Sequence, residues 1–122
     1  TNLLECKVQN RETGMILVED FSITDPNFAS KVIGEVFTIL VRPEDLRVER
    51  NSADISNNYF FQSKLNQVIY KGVPIDLVLE LPNGKTILAS EFYNEDSDAL
   101  DYKVGETLYF YWHDGWESLF EK

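Results

Sequence analysis

The feature that most constrains this chain is a hydrophobic period of two. In "VPIDLVLEL", Val73, Ile75, Leu77, Leu79 and Leu81 share one parity, while Asp76 and Glu80 take the other. A helix would scatter those apolar residues around its circumference; a strand lines them up on one face. "YFFQSKLNQVIY" repeats the pattern, with Tyr59, Phe61, Leu65 and Ile69 on one side and Gln62, Lys64 and Asn66 on the other. "LLECKV" does so again with Leu4, Cys6 and Val8, and "TLYFYW" with Leu108, Phe110 and Trp112. No stretch of comparable length has a helical period.

Turn signals separate these runs. Asn83-Gly84 predicts a two-residue hairpin between Leu81 and "KTILASEF". "HDG" predicts a second tight hairpin between "TLYFYW" and "WESLF". With "MILVEDFSI" after Thr13-Gly14 and "EVFTILV" after Ile33-Gly34, eight or nine strands are expected. Such spacing predicts an all-β, closed or nearly closed antiparallel barrel or sandwich. The polar stretch "RNSADISNN" reads as a linker that splits the strands into two halves near residue 50. The acidic stretch "YNEDSDALDYKVGE" reads as a surface loop with one helical turn at Ser97 to Leu100. A chain of 122 residues buries about two-thirds of its extended surface, enough for the core of one domain spanning 1–122.

Charge and composition narrow the function classes. The net charge is −10, and Arg42, Arg47, Arg50, Lys64 and Lys71 form only short basic spots. Phosphate backbones call for a basic stripe, so no nucleic-acid partner is expected. One cysteine, Cys6, leaves no intrachain disulfide, and with the single His113 it cannot build a His/Cys zinc site. No apolar run approaches the roughly 20 residues that span a bilayer, and no signal peptide is read, so a cytoplasmic location is expected.

Candidate chemistry is sparse. There is no Gly-rich phosphate cradle, and His113, beside the Asp114-Gly115 turn, is expected to be exposed. The acids Glu91, Glu95, Asp96, Asp98 and Asp101, flanked by Tyr93 and Tyr102, lack the spacing of a calcium loop. Carboxylates beside aromatic faces suit a polyamine, through ion pairs and cation–π contacts. The candidate ligand contacts are therefore Tyr93, Glu95, Asp96, Asp98, Asp101 and Trp116, the last as a surface aromatic; a solvated loop is the plainer reading. The cluster Arg42, Pro43, Glu44 and Asp45 ends an apolar strand. Proline cannot donate to a ladder and keeps Arg42 extended, so the cluster reads as a structural corner without a nucleophile. A hydrolase using Glu91 and Asp96 would need a deep cleft, which nothing in the pattern predicts.

Four segments in order, "TNLLECKV", "GEVFTILVRPEDLRV", "LNQVIYKGVPIDLVLELPNGKTI" and "YKVGETLYFYWHDGWESLF", give the chain a resemblance. It is similar to the transport-associated OB (TOBE) domain at the C-terminus of bacterial ABC importer ATPase subunits, most of all those for spermidine and putrescine. The resembling motifs are "VRPED" (41–45), "VIYKG" (68–72) and "VGETLYFYW" (104–112). The resemblance implies an OB-like barrel without catalytic residues or cofactors of its own. ATP and magnesium would belong to an ATPase domain elsewhere in the same polypeptide. It further implies a regulatory or dimerisation role, with partners in that ATPase domain, a second copy of the subunit and transmembrane permease subunits. The location implied is the inner face of the cell membrane. The rival expectation is a free-standing OB-like module for a small oxyanion or an oligonucleotide.

Overall fold

The computed structural model describes residues 2–57, 59–70, 75–91 and 102–121. Val73, Lys71 and Gly72 of the "VIYKG" motif, and the helical turn expected at Ser97 to Leu100 lie outside them. Among the described residues ten strands form two five-stranded antiparallel sheets. The first sheet holds β1 (Asn2–Asn10), β2 (Met15–Val18), β3 (Phe21–Thr24), β4 (Val36–Val41) and β10 (Ser118–Glu121), in the order β10-β4-β1-β2-β3. The second holds β5 (Arg47–Glu49), β6 (Phe61–Tyr70), β7 (Ile75–Glu80), β8 (Thr86–Glu91) and β9 (Thr107–Tyr111), in the order β5-β9-β6-β7-β8. The expected all-β, OB-like class is what the chain adopts, with curled antiparallel sheets.

Parity decides which side chains enter the core. Leu4, Cys6 and Val8 are buried, as are Leu77, Leu79 and Leu81, and Leu108, Phe110 and Trp112. Aromatic rings join the sheets: Phe21 of β3 meets Phe61 of β6 edge-on at 5.4 Å, and Phe61 stacks on Trp112 at 5.4 Å. A short helix α1 (Pro26–Ala29), capped by the Asp25 carboxylate on the Phe28 amide, delivers Phe28 against Phe37 and Tyr59. Such ring pairs contribute about 0.5–1.5 kcal/mol each beyond the area they bury. The segment after α1 is held by Arg11, whose guanidinium donates to the carbonyls of Ala29, Val32, Ile33 and Gly34.

Several local expectations differ from the structure. "MILVEDFSI" is two strands, because Glu19 takes a left-handed conformation (φ 52°) and the chain turns there. Glu19 is held by Lys85 at 2.9 Å and by the Glu5 amide at 3.1 Å. The hairpin at Asn83-Gly84 has three loop residues. Pro82, which would flank an Asn83-Gly84 turn, has no N–H to pair with Lys85, so Leu81 donates to the Lys85 carbonyl at 2.8 Å instead, and its own carbonyl receives the amide of left-handed Gly84 (φ 88°) at 2.9 Å. A register break between Leu65 and Gln67 turns Ile69 away from the expected face, and Val68 packs on the core instead. The change of sheet falls at residues 42–46, before the polar stretch near residue 50, and the sequence halves are not clean because β10 returns to the first sheet. The segment "HDG" does not close a hairpin: β9 is flanked by β5 and β6, so β10 pairs with β4 across the molecule.

Candidate functional site

The chain crosses between sheets at two places in this region, and the two crossings lie against each other. The first is a 3-10 turn over Pro43–Asp45, entered with Arg42 extended (φ −75°, ψ 148°). Pro43 ends the β4 ladder, the Asp45 amide donates to the Arg42 carbonyl at 2.9 Å, and Arg42 Nε donates to Asp45 Oδ2 at 2.9 Å. Arg42 lies mostly in water, so this pair orders the turn more than it stabilises the protein. The second crossing is the turn His113-Asp114-Gly115-Trp116, closed by the Trp116 amide on the His113 carbonyl at 3.1 Å, with Gly115 at φ 88°. Arg47 joins the two. It donates to the Glu44 carbonyl at 3.0 Å and places its guanidinium over the Trp116 ring at 5.2 Å. The other face of this aromatic group is His113, edge-on to Trp116 at 4.8 Å.

Beside the crossings lies the described rim of the acidic segment. Arg50 stacks over the Tyr102 ring at 4.6 Å and pairs with Glu106. Tyr102 donates its hydroxyl to Glu91 Oε2 at 3.2 Å. Burial raises the Glu91 pKa and the nearby Glu49 charge adds to it, while the Tyr102 hydrogen bond, Arg47 and Arg50 pull the other way. Burial and the Glu91 charge push the Tyr102 phenol up. Glu49 is raised by burial and by Asp54. For Glu106 burial works against the charged form, but hydrogen bonds from the Lys103 amide and Arg50 win and lower its pKa. Carboxylates and tyrosine or tryptophan faces thus sit together with two arginines already stacked on rings, an arrangement suited to holding cations against aromatic surfaces.

Of the residues singled out from sequence, Trp116 is 45% exposed, with Arg47 over its ring. Tyr93, Glu95, Asp96, Asp98 and Asp101 lie outside the described residues. Cys6 is buried with its thiol pushed up to about 12, chiefly by desolvation, so it is poorly nucleophilic. Among the described residues no three His, Cys, Asp or Glu side chains gather as a metal site, and no helix is long and apolar enough to cross a membrane. Sequence reading passed over Glu117, whose side chain is buried behind the second crossing. The signal was present: Glu117 shares parity with Leu119, which packs on the core.

Comparison with known proteins agrees with this architecture. The TOBE domain family matches residues 39–120. The "Spermidine/putrescine import ATP-binding protein PotA" of Legionella pneumophila (strain Lens) is 37% identical over 102 residues, 84% of this chain and 28% of that protein. The protein of the same name from Lawsonia intracellularis (strain PHE/MN1-00) is 30% identical over 117 residues, 96% of this chain and 31% of that protein. The chain therefore spans less than a third of the length of these relatives. In fold it is similar to the cytoplasmic molybdate-binding protein ModG in a crystal form with molybdate bound. The TM-score is 0.74 at 14% identity, over 98% of this chain and 94% of that one.

Proposed function

The chain belongs to the TOBE domain family, and from that premise we propose that it is the non-catalytic regulatory and dimerisation domain of an ABC importer ATP-binding subunit. The solute proposed is spermidine or putrescine. The observation that carries this reading is that importer ATP-binding proteins align over 84–96% of the chain while it covers only 28–31% of them. In this reading ATP and magnesium are bound by an ATPase domain of the same polypeptide, which couples hydrolysis to import through transmembrane permease subunits. The domain itself works by contact, with that ATPase domain and with the second copy of the subunit, at the cytoplasmic face of the membrane. Polyamine sensing falls to Tyr93, Glu95, Asp96, Asp98, Asp101 and Trp116.

The rival is a free-standing OB-like module for a small oxyanion or an oligonucleotide, supported by the likeness in fold to ModG. Sizing the native gene product with an antibody against this chain separates the two. A product near 40 kDa, carrying about 230 further residues, is expected; one of 14.1 kDa, the mass of this chain, favours the rival. In the larger product, excision of residues 1–122 should leave ATP turnover and abolish its response to spermidine. A response that survives excision removes the sensing role.

A further inference from the structure

At the second sheet crossing two buried polar groups lack hydrogen-bond partners. The Glu117 side chain is 2% exposed, yet neither carboxylate oxygen receives a hydrogen bond, and the buried Trp112 Nε1 donates none. A buried acceptor or donor left unmade is costly, and each one in a native structure calls for an explanation. Their surroundings are short of donors. The Tyr59 hydroxyl is spent on Asp114 Oδ1 at 3.4 Å, and after burial the charges of Glu117, Asp114 and Asp25 act on that phenol, raising its pKa. Asn57 gives its amide to the carbonyls of Tyr59 and Trp112. Lys31 comes nearest, but its Nζ stops 3.9 Å from Glu117 Oε1, beyond hydrogen-bond reach, while resting 5.8 Å from the Phe28 ring centre.

We propose that Glu117 anchors a binding site for a primary ammonium group, completed by Asp114, the Tyr59 hydroxyl and the Phe28 ring, with Lys31 as its weak internal occupant. Each feature fits that cation better than another ligand. Anions are excluded by three carboxylates. A divalent metal needs several converging ligands, and among the described residues no three such side chains gather. An ammonium brings three N–H donors to a carboxylate that receives no hydrogen bond and takes a favourable place over an aromatic face. The Lys31 side chain, 47% exposed, shows where a competing ammonium and its alkyl chain enter from solvent. The proposal goes beyond the importer reading, since it is argued from these residues alone.

The test uses the 122-residue chain in 0.15 M salt, following the indole ¹⁵N–¹H resonances of Trp112 and Trp116. Titration with n-butylammonium should shift the Trp112 signal saturably, while tetramethylammonium, of equal charge but without N–H groups, should not. Glu117→Gln should weaken binding by about tenfold or more, as for loss of a charge-assisted hydrogen bond. Lys31→Met, at a half-exposed position, should tighten binding by removing the competitor. Equal shifts from both cations, no saturable shift, or an affinity that Lys31→Met leaves unchanged or weakens would overturn the site. Butylammonium binding without any spermidine response would uphold the site while counting against the polyamine reading.

Discussion

Two glycines show how much of this fold rests on single positions. Gly14 and Gly84 both have positive φ, 81° and 88°, yet their surroundings differ. A Cβ on Gly14 would lie 2.4 Å from the Pro26 nitrogen and 2.5 Å from its Cα, backbone atoms at the start of α1 that cannot step aside. A Cβ on Gly84 would meet nothing within 4 Å. Gly84→Ala should therefore cost only the left-handed backbone penalty, about 1–2 kcal/mol. Gly14→Ala adds the collision, and a loss of at least about 3 kcal/mol is expected in urea unfolding. Equal losses at the two sites would show that the chain near Pro26 relaxes freely. Thr13-Gly14 was legible as a turn in the sequence. The helix packed against it was not, because Pro26 approaches only in three dimensions.

At the scale of elements, the sheets are joined by side chains that imitate strands. β8 ends the second sheet with an open edge, and an open edge invites pairing with other chains. Asn2 of β1 covers part of it: its Nδ2 donates to the Leu88 carbonyl at 2.7 Å, and its Oδ1 accepts the Leu88 amide at 2.8 Å. One buried side chain thus makes both bonds of a ladder rung between sheets. Asn2→Ala should cost about 2 kcal/mol and expose the Leu88 amide to solvent exchange. Unchanged exchange at Leu88 would mean that β8 is held by β7 alone. Alternation identified β1 and β8 separately, since period is a local property. Their pairing through an asparagine carries no period and left no trace in the pattern.

At the scale of the whole molecule, the net charge of −10 and the raised carboxylates of the rim act in the same direction. Glu91 and Glu49 have pKa values raised on folding, mainly by burial. In the window above their unfolded values the native chain then holds more protons than the unfolded one, so stability falls as pH rises through it. Below the unfolded values the penalty is absent, and above the folded values it is complete. Glu106, lowered on folding, works oppositely and favours the native state until pH falls through its folded value. Glu91→Gln keeps an acceptor for Tyr102 and removes the charge. It should flatten the decline in stability above about pH 4.5 and raise stability at pH 7. Urea midpoints between pH 4 and 7 that decline in parallel with the parent would assign the decline to general repulsion instead.

The sequence by itself determined the all-β class, most of the inward side chains and the corner at Arg42-Pro43-Glu44-Asp45. These follow from alternation and from proline's missing N–H, both properties of neighbouring residues. Tertiary structure alone decided that "WESLF" crosses to β4 rather than folding back on β9. The competition was for hydrogen-bonding edges, and β9 had none free once β5 and β6 flanked it. The same crossing turned Trp116 outward beneath Arg47 and Glu117 inward beside Tyr59. A strand's period fixes which residues share a face, but the partner it meets fixes what that face is for.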